Sequence, residues 1–240
     1  MKISFFEEFP SFKNLRKLVL INFPTSLYLA SSSREKWEYW KKIALGFKKD
    51  LEIIWWPLLK IEEGYWFSPF SSLKGMMRIA SQIREEKIFL DLELPLLSPL
   101  RLMDFSHFWT SKSFLTRFIE EKGEKLILGE IPLFPEKIRT LLGLSFPGKS
   151  QKICYLLYST LLPFWVIKRE MEKGIKKFGE NFIVGVGCLG KGITHLEREI
   201  TFRELDRVLK LAKSIGVREV IIYRLGGIGK ETVKLLEKFL

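Results

Sequence analysis

Two carboxylates stand two residues apart at the end of a short apolar run, Lys87-Ile-Phe-Leu-Asp91-Leu-Glu93-Leu-Pro95. In a β-strand that spacing puts both side chains on one face. Acids crowded on one face repel each other. Repulsion raises the pKa of at least one, so that a proton is still held near neutral pH. A protonated carboxyl beside an ionised one is what general acid catalysis requires, and glycoside hydrolysis uses such a pair.

Other residues able to do chemistry also follow apolar runs. Glu7 and Glu8 end the first, Glu130 ends the fifth, and Tyr158 and Ser159 end the sixth. Single acids of this kind serve either in chemistry or in ion pairs at a strand end. An aromatic stretch, Trp55-Trp56 and then Glu62 to Phe70 with Trp66 at its centre, supplies flat rings, joined by Phe108 and Trp109. Such rings cover the CH faces of a pyranose, and equally well fill a loop core or a partner surface. Tyr223, Arg224, Gly226 and Gly227 stand at the last run, and Gly187, Gly190 and Lys191 at the one before.

These residues need elements to hold them. The chain repeats an order of short apolar run, loop and amphipathic segment. Strands are predicted at 3–6, 26–30, 51–56, 88–92, 126–129, 153–158, 182–186 and 220–223. Between them, Trp37, Trp40, Ile43, Ala44 and Phe47 recur at helical spacing, as do Leu73, Met76, Met77, Ala80 and Ile83. Further helices are predicted at 114–121, after Pro135, around Ile167 and Met171, after Thr201 as N-cap with Glu204 three residues on, and at 232–239. Strands alternating with helices imply a parallel sheet, and eight such units in 240 residues close into a single (β/α)8 barrel, one domain spanning residues 1–240. The alternative is an open doubly wound sheet. Its glycine-rich phosphate turn is missing, because Glu7-Glu8-Phe9-Pro10 follows the first strand. In a barrel the loops after the strands form the active face, where the residues above collect.

Composition narrows the classes. Hydrophobic residues make up 47 %, ample for a barrel core. No apolar run reaches the length of a membrane span, and the N-terminus meets charge too early for a signal peptide, so a cytoplasmic protein without membrane contact is expected. The net charge of +12 is spread among glutamates along predicted helices, as in Arg34-Glu35-Lys36, which fits a solvated outer ring rather than a nucleic-acid surface. Scarce glutamine with abundant Lys, Glu and Ile suits a thermophilic source. Cys154 and Cys188 fall in predicted strands and read as buried thiols. With only His107 and His195 beside them, no zinc site and no cofactor are expected.

The Asp91-Leu-Glu93 strand end resembles the fourth strand of chitinase-like glycoside hydrolases, which ends in D-x-x-D-x-D-x-E. Aligned so, Glu93 takes the catalytic acid position and Asp91 the supporting one, while Glu86 and Phe89 replace the two earlier aspartates. Tyr158 in Leu-Leu-Tyr-Ser matches the family's tyrosine at the sixth strand; the family's tryptophan at the eighth is absent. The resemblance covers two strand ends. It implies substrate-assisted hydrolysis of an N-acetylated sugar, with Glu93 protonating the leaving oxygen and Asp91 and Tyr158 orienting the acetamido group.

The leading expectation is therefore a carbohydrate-active barrel taking a small-molecule or oligosaccharide substrate. Glu93, Asp91, Tyr158, Glu8 and Glu130 are its catalytic candidates, and Trp56, Trp66, Tyr223, Arg224, Gly226 and Gly227 its binding candidates. The second is a phosphosugar isomerase or lyase, holding phosphate on the glycine-rich turns after strands seven and eight, with Glu93 or Glu130 as base. A divalent ion held by Glu8, Glu93 and Glu130 is a further option. So is a non-enzymatic binding barrel that uses the aromatic loop.

Overall fold

The structure is a computed structural model that describes residues 1–100, 105–146, 152–191 and 198–240. Its apolar runs form β1 (Lys2–Glu7), β2 (Ser26–Ser31), β3 (Glu52–Pro57), β4 (Ile88–Leu92), β5 (Leu126–Glu130), β6 (Lys152–Leu156), β7 (Phe182–Val186) and β8 (Glu219–Tyr223). The strands lie in chain order, each parallel to the next, and β8 pairs with β1 to close the barrel. The helices are α1 (Phe12–Leu15), α2 (Arg34–Phe47), α3 (Leu73–Ala80), α4 (Phe108–Lys122), α5 (Glu136–Leu141), α6 (Phe164–Phe178), α7 (Phe202–Ser214) and α8 (Lys230–Glu237). This is a single (β/α)8 barrel. None of the described helices is long and apolar enough to cross a membrane.

Local chemistry sets the boundaries. Thr201 caps α7: its hydroxyl accepts from the Glu204 amide at 3.2 Å while the Glu204 carboxylate accepts from the Thr201 amide at 2.9 Å. Helix α4 begins at Phe108 rather than near Phe114. Phe108, Ser111, Leu115, Phe118 and Ile119 are its buried residues, and the polar Ser111 breaks the apolar stripe that the sequence would otherwise show. Strand β6 ends at Leu156, so Tyr158 belongs to the loop beyond it.

Strand residues alternate between two cores. Phe5, Leu27, Leu90, Leu128 and Val184 pack outward beneath the helices. Phe6, Tyr28, Ile54, Trp56, Phe89, Ile127, Cys154 and Ile221 fill the lumen. The Phe6 ring lies 5.3 Å from Tyr28, 5.1 Å from Trp56 and 4.9 Å from Phe89, an aromatic layer across the barrel. Gly129 makes room for it: a Cβ there would stand 2.4 Å from the tip of Phe89. Truncating a ring so buried, as in Phe89→Ala, costs about 3–5 kcal/mol in general.

Below this layer, at the N-terminal ends of the strands, two acids are fully engaged. Glu52 accepts from Lys2 at 2.9 Å, Lys87 at 2.6 Å and Ser26 at 2.6 Å. Glu219 accepts from Ser4 at 2.7 Å and from the Tyr28 hydroxyl at 3.1 Å.

Candidate active site

Above the aromatic layer, at the C-terminal ends of the strands, lies a cavity of about 310 Å³. Glu8, Asp91, Glu93, Trp56, Trp66, Tyr158 and Tyr223 line it, together with Leu96, Ile131, Leu133, Leu156, Leu161 and Leu162. Strand parity explains the choice. On β1, Phe6 points into the lumen, so Glu8 does too; on β4, Phe89 points in, and Asp91 and Glu93 follow it.

Asp91 is 3 % exposed. Burial holds its carboxyl well above the usual range, and the neighbouring Glu93, which shares a hydrogen bond with it, raises it further, as does Glu8. That direction favours the protonated form of Asp91, with Glu93 as its hydrogen-bond partner. The other oxygen, Asp91 Oδ1, is buried without a hydrogen-bond partner, and so is Trp56 Nε1 on the cavity wall. One acceptor and one donor, on two residues that line the cavity, are thus buried without partners, where buried polar groups ordinarily find them.

Glu8 is held by two phenols. The Tyr65 hydroxyl donates to it at 2.7 Å, and the Tyr223 hydroxyl donates to its other oxygen. Desolvation, then the Glu8 charge, pushes both tyrosines far above their ordinary pKa, so they remain donors. Burial, with Asp91 next, likewise keeps Tyr158 protonated; its ring stands 5.8 Å from that of Tyr223.

The aromatic loop after β3 is firmly folded. The Phe67 amide donates to the Asp91 carbonyl at 3.1 Å and the Leu59 amide to the Tyr65 carbonyl at 2.8 Å. Tyr65 adopts a left-handed backbone, φ 63°, uncommon for a large side chain and one way to aim its hydroxyl at Glu8. Trp66 is buried and lines the cavity, whereas Trp109 is exposed and stands apart from it.

Four candidates are placed elsewhere. Glu130 shares the outward face with Leu126 and Leu128, not the lumen with Ile127. Arg139 pairs with it there and also reaches the Tyr155 hydroxyl at 3.4 Å. Burial still outweighs Arg139 and leaves the Glu130 carboxyl raised. Glu130 is thus a structural acid, and it cannot share an ion with Glu8 and Glu93 on the opposite face. Arg224 donates to Glu7 at 3.2 Å and to the Lys191 carbonyl at 3.1 Å, outside the cavity. The Gly226 amide donates to Glu7 at 2.7 Å. Gly227 is a packing glycine, since a Cβ there would stand 1.7 Å from the Leu189 carbonyl oxygen.

These bonds also remove the proposed phosphate cradle at β8. The amides of Gly226, Gly227, Ile228 and Gly229 already donate to Glu7, Arg224, Leu225 and Thr232. Glu7, completely buried, holds that turn against β1, with Asn14 Nδ2 at 3.1 Å and the Phe9 amide at 3.0 Å as further donors. The histidine His195 lies outside the described residues. Tyr65 is the site residue that sequence reading left unassigned; it sits among the quoted aromatics, but nothing local ties it to Glu8, 57 residues away.

The fold and cavity define a (β/α)8 barrel with an acidic, aromatic site at its C-terminal face. No family model matches the chain, and no curated protein does. Among solved structures it is similar to the 3-dehydroquinate dehydratase from Aquifex aeolicus VF5, at 14 % identity and a TM-score of 0.43, over 100 % of this chain and 99 % of that one.

Proposed function

We propose that this barrel is a carbohydrate-active hydrolase that cleaves a glycosidic bond with Glu93 as general acid. The observation that carries the reading is the hydrogen-bonded Asp91–Glu93 pair, facing Glu8 across an aromatic-walled cavity at the catalytic end of the barrel. Asp91 passes its proton to Glu93 as Glu93 protonates the leaving oxygen and the bond from that oxygen to the anomeric carbon breaks, which leaves Asp91 ionised. Positive charge developing at the anomeric carbon is stabilised by carboxylates across a small cavity, where electrostatic interactions are stronger than in water. Water then adds to the anomeric carbon and returns its proton to the carboxyl pair.

Trp56 and Trp66 provide apolar faces for the ring, and Tyr158 and Tyr223 provide hydroxyl donors. An acetamido group carries a donor and an acceptor that match the partnerless Asp91 Oδ1 and Trp56 Nε1, two buried atoms that an N-acetylated sugar would uncover on entry. That carbonyl attacking the anomeric carbon would make the reaction substrate-assisted, as the strand-four resemblance implies. The phosphosugar reading loses its main support with the amides of the β8 turn already engaged.

The test is turnover of 4-nitrophenyl glycosides, with and without a 2-acetamido group, by the wild type and by Glu93→Gln. Cleavage of the acetamido substrate that Glu93→Gln abolishes is expected. Full turnover in that variant would refute the acid role. If no glycoside is cleaved and neutral oligosaccharides merely stabilise the fold, the cavity belongs to a binding barrel.

A further inference from the structure

The surface around the cavity mouth is apolar. Leu96, Leu133 and Leu161, from the loops after β4, β5 and β6, line the cavity and are 57, 60 and 49 % exposed. Phe105 and Trp109 before and within the first turn of α4, and Trp165 in the first turn of α6, stand at the same end of the barrel, outside the cavity lining. Trp109 and Trp165, 68 and 65 % exposed, are the most exposed aromatic side chains among the described residues. Single exposed apolar residues are ordinary; a set gathered on one face around a site marks a contact surface.

Charge identifies the partner. Each exposed tryptophan carries a cation over its ring, Lys112 at 5.7 Å from Trp109 and Arg169 at 5.3 Å from Trp165. Lys137 on α5 and Lys168 on α6 are also exposed, Arg169 and Lys168 pair with Glu170 and Glu172 on their own helix, and the whole chain carries +12. Indole rings flanked by lysine and arginine are suited to the boundary between hydrocarbon and headgroups, and anionic lipids attract the cations. A second copy of the chain fits less well, since symmetric pairing would set two cationic rims against each other.

We propose that this sector docks on a bilayer bearing anionic headgroups and seats the cavity mouth at the lipid surface. The contact is peripheral and needs no spanning helix. Docking does not depend on the glycosidase reading. Where that reading holds, docking makes the substrate a glycan displayed on the bilayer.

The test is co-sedimentation with phosphatidylcholine vesicles, with and without phosphatidylglycerol, at low salt, alongside tryptophan fluorescence. Binding to the anionic vesicles with a blue shift is expected. Trp109→Ser with Trp165→Ser should abolish both, and Tyr39→Ser, far from the sector, should change neither. Lys112→Gln and Lys168→Gln should each weaken binding about fivefold.

No binding to anionic vesicles overturns the proposal. So does binding that survives loss of both tryptophans, because surface lysines alone would then explain it. A wild-type dimer that dissociates in the double tryptophan variant, without vesicle binding, assigns the patch to self-association instead. Turnover of a soluble aryl glycoside, measured without vesicles, tests the cavity separately. Vesicle binding without any turnover keeps the docking and discards the hydrolase.

Discussion

At the floor of the barrel, Lys87, Ser26 and Lys2 bond Glu52 and outweigh its burial, holding its carboxyl at a pKa of about 2. At the mouth, Asp91 is buried against Glu93 and its carboxyl is raised instead. Both acids come from the same closed sheet and stand near strand ends. The floor answers its carboxylates with ammonium groups and hydroxyls. The mouth answers them with one another and with tyrosine hydroxyls, and leaves Asp91 Oδ1 unsatisfied. A barrel's stability is generally built at the N-terminal face and its chemistry at the C-terminal face, and the two sets of acids divide accordingly.

The sharpest break in that contrast comes from Glu93→Gln. It is expected to lower glycosidase turnover by about 10²-fold or more, the usual scale for a general acid, with the melting temperature unchanged. A large loss of stability would place Glu93 with the structural acids. Next in size is Glu219→Ala at the floor. It strands the Ser4 and Tyr28 hydroxyls and should cost about 1–3 kcal/mol in chemical denaturation.

Asp91→Asn should move stability the other way. A buried acid with a raised pKa favours folding below its unfolded value, and that contribution is lost as pH rises through its folded value. Removing it should therefore raise the melting temperature at neutral pH, with the gain fading toward pH 4 as the unfolded chain also becomes protonated. The smallest effect belongs to Glu52→Gln, about 1 kcal/mol or less, because its ion pairs are partly exposed. Its sign is opposite. The depressed pKa stabilises above about pH 4.5, and the difference from wild type should vanish as pH falls toward 2. If both variants respond to pH in the same direction, the two ends do not differ in the way described.

The barrel was legible because each strand is a short apolar run between helical patterns. Ile88–Leu92 and Phe182–Val186 match their predicted bounds, and the other strands differ at their ends. The site was legible only in part, and strand parity is the reason. In a parallel barrel both faces of a strand are buried, so hydrophobicity alone does not say which face is the lumen. Glu130 and Asp91 therefore read alike in sequence, although Glu130 shares its face with Leu128 and Asp91 with Phe89. Arg224, Gly226 and Gly227 were misplaced for another reason. A glycine-rich turn reads the same whether its amides await an anion or are already taken by a buried glutamate such as Glu7.

The seam between β1 and β8 has a consequence for the order of events during synthesis. Glu8 acquires its Tyr223 partner across 215 residues, and Glu7 acquires Gly226 across 219. Contacts so distant in sequence form slowly and late, since the intervening chain must first be made and ordered. A ribosome-bound chain that has completed β1 to β7 already carries Asp91, Glu93 and Trp66. It lacks the strand that closes the wall around Glu8. The cavity is therefore finished last, and a nascent or clipped chain ending before Glu219 would hold Glu8, Asp91 and Glu93 without the wall that encloses them.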